Sequence, residues 1–70
     1  MDIEIQLGKR ITYLRKMRKF SQEDLALEAN VNKNYLSDLE NGRRNPSIQV
    51  LNRISKALKV PLSYLFQGID

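Results

Sequence analysis

The chain has 70 residues, with twelve Lys and Arg against eight Asp and Glu, a net charge of +4, and neither Cys nor His. That length holds one domain, residues 1–70, and buries only ~60% of the unfolded chain's surface, which leaves little room for a catalytic pocket. Without Cys or His there is no disulfide framework, no ordinary zinc site and no thiol or imidazole for catalysis, so neither an enzyme nor a metal or other cofactor is expected.

The basic balance points to a polyanion, of which nucleic acid is the commonest. The cations gather in Lys9 to Lys19, in Arg43-Arg44 and in Arg53 to Lys59. Apolar runs are only a few residues long, and MDIEIQLGKR lacks the cationic start of a secretory signal, so the expected setting is cytoplasmic, with no membrane partner.

Taken in order, Ile3, Leu7, Ile11 and Leu14 repeat at four, four and three and predict a first helix ending near Lys19, with Ile3 on its buried stripe. Its other faces carry Lys9, Arg10, Arg15, Lys16 and Arg18; Phe20 is expected to anchor the following turn in the core. Ser21 caps a second helix, with Asp24 three residues on in a capping-box position. Asn32 caps a third over Lys33 to about Asn41, and Gly42 ends it. After the polar loop Arg43-Arg44-Asn45-Pro46, Ser47 caps a fourth helix burying Ile48, Leu51, Ile54 and Leu58. Lys59-Val60-Pro61 breaks that pattern, and Leu62 to Phe66 predict a short fifth helix.

The organising stretch is QEDLALEANVNKNYLSDLE, residues 22–40. Leu25 and Ala26 face inward on its first helix and Leu36 and Leu39 on its second. Asn30 tolerates the left-handed conformation that ends a helix, and Val31 plugs the corner. Ala26 is small enough to let the two helices close. Two helices meeting steeply across so short a turn form a helix-turn-helix.

The run SQEDLALEANVNKNYLSDLENGRRNPS resembles the phage-repressor-like (Cro/C1, Xre) helix-turn-helix domains of bacterial transcription regulators. Their pattern reads roughly T/S-Q-E-x-L-A, then G-V, then Y-I/L-S-x-x-E-x-G, then P-S. The likeness extends from about Leu7 to Phe66, with Asn30 where the family usually has Gly. It implies an all-α, compact five-helix, lambda-repressor-like domain and a sequence-specific transcriptional regulator whose partner is double-stranded DNA. Family members read bases from the positions matching Lys33, Asn34 and Asp38, with Ser37 and the capping Asn32 nearby. The matching Gln22 takes a phosphate, and the positions of Arg15 and Glu40 form a structural ion pair.

Side-chain chemistry adds detail. Lys33 suits guanine O6/N7 and Asn34 adenine N6/N7, while Asp38 either accepts from a cytosine amine or orients a neighbouring cation. Tyr35 falls at the edge of the groove face, to reach the backbone with its hydroxyl or to pack half-buried on the second helix. Asn41, Arg43 and Arg44 follow the third helix where phosphates should pass, with Lys16 and Lys19 less specific. One recognition helix reads few base pairs, so a homodimer on a (pseudo)palindromic operator is expected. Its interface is placed in about residues 55–70, through Leu62, Tyr64, Phe66 and Ile69. No small-molecule effector site is evident. The alternative is a protein-interaction or antitoxin-type module on the same fold.

Overall fold

The computed structural model describes residues 2–69. Four α-helices and one 3₁₀ helix make up the described chain: α1 Ile3–Met17, α2 Gln22–Ala29, α3 Lys33–Glu40, α4 Ile48–Ala57 and the 3₁₀ helix Leu62–Phe66. The predicted fifth helix is thus a 3₁₀ helix. It follows Pro61, and the Tyr64 N–H donates to the Pro61 carbonyl at 2.9 Å, a tight bond suited to five residues. Among the described residues no helix is long and apolar enough to cross a membrane.

Each α-helix begins on a side chain that satisfies its free N–H groups. Asp2 accepts from Glu4 N, Ser21 from Asp24 N, Asn32 from Asn34 and Tyr35 N, and Ser47 from Val50 N. Ser21 and Asp24 complete a reciprocal capping box.

The four ends also share one device. Lys19, Asn30, Gly42 and Lys59 all take positive φ, and the next N–H reaches back five residues: Phe20 to Arg15, Val31 to Ala26, Arg43 to Asp38 and Val60 to Ser55. This is the Schellman arrangement, with an apolar residue after the left-handed one folding back on the core. Phe20, Val31 and Val60 do so. After α3 that place is held by the exposed Arg43, so the chain leaves along the surface. The same device ends α1 at Met17, two residues before the expected Lys19.

The core joins Leu7, Ile11 and Leu14 of α1, Leu25, Ala26 and Ala29 of α2, Leu36 and Leu39 of α3, Leu51 and Ile54 of α4, and then Leu58 and Leu65. Ile3 and Ile48 were expected on buried stripes but are exposed. Each is the first residue of its helix, projecting beyond the packed layer, and both line a shallow groove with Pro46 and Phe66.

Gly8 sets the approach of α1 to α3. A Cβ at that position would stand 2.5 Å from the Leu39 carbonyl oxygen and 2.6 Å from that of Glu40. Only a glycine lets the end of α3 lie against the α1 backbone.

Candidate nucleic-acid interface

α3 is anchored from within and polar without. Leu36 and Leu39 are fully buried, and Glu40, its last residue, is buried with them. Lys33 and Asn34 are exposed, while Ser37 and Asp38 are half-buried beside them. The expected base-reading positions therefore lie on one face of α3. Asn32 stands at its head, with its Oδ1 occupied by the N–H groups of Asn34 at 2.7 Å and Tyr35 at 3.2 Å.

The end of α3 is fixed by an ion pair within the protein. Arg15 Nε donates to Glu40 Oε2 at 2.7 Å and Nη2 to Oε1 at 3.1 Å, and the two side chains are only 11% and 4% exposed. A fork of this kind orients both partners. Arg15 Nη1 also donates to the Phe20 carbonyl at 2.8 Å, tying in the end of α1. Gln22 Nε2 donates to Glu40 Oε1 at 3.1 Å, so the first residue of α2 joins the same cluster. Among the described residues no buried side-chain nitrogen or oxygen lacks a partner. The pairing implied by the family resemblance is present, and Gln22, expected at a phosphate, is also a neighbour of Glu40.

Asp38 faces two cations. Arg44 Nη2 lies 3.4 Å from its Oδ2 and Arg43 Nη1 3.8 Å from its Oδ1, all on partly exposed side chains. The Arg44 guanidinium also stands 5.2 Å from the centre of the Tyr35 ring. These contacts are those of a carboxylate that orients neighbouring cations, one of the two roles open to Asp38 in the sequence. Tyr35 is half-buried and packs against the core. Asn41 folds its amide onto the Ser37 carbonyl at 2.8 Å, closing α3 with its own side chain.

Arg53 was not singled out by its sequence position. Its Nε donates to the Ala29 carbonyl at 3.1 Å and Nη2 to that of Asn30 at 3.5 Å, so α4 clamps the turn between α2 and α3. It also lines a surface depression with Asn32 and Tyr35, which places a cation beside the head of α3. The cationic run Arg53 to Lys59 was its only sequence signal.

The residues of the C-terminal segment part company. Phe66 lines the groove with Ile3, Ile48 and Leu51, whereas Tyr64 lines another with Tyr13, Met17 and Leu58. Leu62 and Ile69 are half-buried against the core.

Two carboxylates at helix starts are shifted. The Ser21 backbone N–H, donated to Asp24 at 2.9 Å, holds that carboxyl below its ordinary value, and hydrogen bonding with Glu4 does the same for Asp2.

Comparison with known proteins agrees with this geometry. The control protein C.MunI of a Mycoplasma species is 40% identical over 70 residues, covering 99% of this chain and 95% of its own length. An immunity repressor of Bacillus phage phi105 is 42% identical over 57 residues, and the chain spans only 40% of it. Among solved structures, the restriction-modification controller C.AhdI from Aeromonas hydrophila superimposes with a TM-score of 0.89 at 30% identity, over 90% of this chain and 96% of the other. The controller C.Esp1396I, crystallised as a tetramer with its natural 35 base-pair operator, gives 0.86 at 30% identity, over 96% and 88%. The profile of the HTH_3 helix-turn-helix family matches residues 11–65. The chain therefore belongs to the HTH_3 (Cro/C1-type) family of helix-turn-helix transcription regulators.

Proposed function

We propose that this regulator lays α3 in the major groove of double-stranded DNA and reads base edges with Lys33 and Asn34, Ser37, Asp38 and Asn32 lying alongside. The observation that carries this reading is the division of α3 itself. Leu36, Leu39 and the paired Glu40 fix one side in the core, leaving a polar face without a large apolar side chain. Such a face suits base edges, which offer donors and acceptors rather than apolar surface.

Phosphates flanking the groove are met by Gln22 at the start of α2, Tyr35, Asn41, Arg43 and Arg44. The Gln22 amide carries two N–H bonds, so donation to Glu40 leaves a second for a phosphate. Arg43 and Arg44 are exposed on the loop after α3, and the Asp38 pairing keeps them near its face until phosphates compete. The action is cytoplasmic, and two copies act together on half-sites about 34 Å apart. Their two-fold face is drawn from Leu62, Phe66 and Ile69 with the exposed Ile3 and Ile48. Tyr64, on the other groove, stands apart from it. The operator-bound tetramer of C.Esp1396I supports assembly of copies on DNA as a mode open to this fold.

The test is a titration of fluorescent duplex DNA at several salt concentrations. Affinity should fall linearly on logarithmic axes as salt rises, and Arg43→Ala should reduce the slope by about 1. Absence of duplex binding at low salt would contradict the reading.

A further inference from the structure

On α1, Arg10, Tyr13 and Met17 follow at three and four residues, on the side of the helix away from Gly8 and Arg15, which face α3. Tyr13, Met17, Leu58, Val60 and Tyr64 line a groove of about 200 Å³, with Arg18 at its edge. The Arg10 guanidinium stands 4.5 Å from the Tyr64 ring centre and 5.6 Å from that of Tyr13, and its Nε donates to the Tyr64 carbonyl. Met17 is 65% exposed and Tyr13 55%. No carboxylate is among the residues lining the groove. Aromatic residues, Met and Arg are the types enriched where proteins meet, and an exposed Met adapts to the shape it receives.

The opposite character occurs on α2. Leu27 is 83% exposed, the most exposed large apolar side chain among the described residues. Glu23 and Asp24 stand one turn before it and Glu28 beside it. A single exposed Leu is ordinary by itself. What gives this one a partner is complementarity: an apolar knob among acids on one surface, an apolar groove between arginines on another.

We propose that Leu27 of one copy seats in the Tyr13–Met17–Tyr64 groove of a second copy, with Glu23 and Glu28 against Arg10 and Arg18. Knob and groove are different surfaces, so the contact is head-to-tail and leaves one of each free for the next copy. It is distinct from the two-fold face around Phe66. One α2 against one groove falls at the small end of specific interfaces, below about 1,200 Å². It is therefore weak between free chains and strengthened when a shared duplex raises the local concentration. Only that last consequence rests on the DNA-binding reading.

The chain has no cysteine, which makes cross-linking clean. Cysteines are placed beside the knob and the groove, which both stay intact: Glu28→Cys next to Leu27, and Gln67→Cys, whose side chain meets Arg10. The two proteins, each folded by circular dichroism, are mixed without DNA and treated with a short bis-maleimide. The mixture should give several-fold more cross-linked pair than Glu28→Cys mixed with Gln49→Cys, an exposed site on α4. Adding Arg18→Glu to the Gln67→Cys chain should lower the yield, and Glu23→Lys in the other chain should restore it. Equal yields from the two mixtures, or a yield indifferent to both charge changes, would overturn the proposal. Because DNA is absent, its failure and that of the DNA-binding reading are read separately.

Discussion

Arg15 and Glu40, 25 residues apart in the chain, form a two-pronged buried ion pair that locks the last turn of α3 to α1. Two charges withdrawn from water are tolerated because the pairing is two-pronged and Phe20 and Gln22 supply further hydrogen bonds. Glu40→Ala strands the guanidinium and should destabilise the fold by about 3–5 kcal/mol. Replacing both partners with Met should cost much less than either single truncation, because no uncompensated charge remains. Urea unfolding of the parent, Arg15→Ala, Glu40→Ala and the double Met protein checks this comparison.

Gly8 makes a second prediction. An Ala there puts its methyl carbon against two α3 carbonyl oxygens that belong to the backbone and cannot swing aside. Gly8→Ala should therefore destabilise the fold by about 1–3 kcal/mol, as overpacking does, although Ala is the better helix former. A neutral or higher denaturation midpoint would show that α1 and α3 separate easily.

The left-handed helix ends give a third. Asn30 has φ 56° and Lys19 and Lys59 both 59°. Asn30→Ala should cost roughly 1–2 kcal/mol, the penalty for an ordinary side chain in this conformation. Asn30→Gly should be close to neutral. Lys19→Gly and Lys59→Gly should each raise stability by about 0.5–1 kcal/mol, the relief of that strain less the entropy of glycine. Thermal unfolding of the four variants separates these outcomes.

Acid gives a fourth. Asp24 holds its proton less tightly in the folded chain than in the unfolded one, because the Ser21 backbone N–H and then the Ser21 side chain stabilise its charge. Its contribution is present in full above the unfolded carboxylate value and is lost as pH falls through the lower folded value. Asp24→Asn keeps an oxygen acceptor for the Ser21 N–H but removes the titration. The variant should lose less stability than the parent as pH drops through that window, measured as unfolding midpoints against pH. Identical pH profiles would contradict it.

What was legible in the sequence acts on near neighbours. Ser21, Asn32 and Ser47 cap the helices that follow them, and Asn30 takes the left-handed turn, because each uses backbone groups within a few residues. Lys19 and Lys59 gave no such signal, since lysine is a good helix former. The signal lay one residue later, in the apolar Phe20 and Val60 that fold back on the core. Ile3 and Ile48 fit the helical spacing, yet periodicity does not say where the core stops. Arg15 and Glu40 came from the family resemblance, because nothing local links residues that far apart. Gln22 on Glu40, Arg44 over Tyr35 and Arg53 on the Ala29 carbonyl depend on how the helices pack, and no single segment encodes them.

The central claim is that α3 reads sequence through Lys33 and Asn34. The measurement that tests it most directly is selection of bound sequences from a pool of random duplexes, made with the parent protein and with Lys33→Ala and Asn34→Ala. The parent should enrich an inverted repeat, and each variant should lose preference at one position per half-site, about 1–3 kcal/mol of discrimination. No enrichment by the parent, or enrichment unchanged in both variants, would contradict readout by α3.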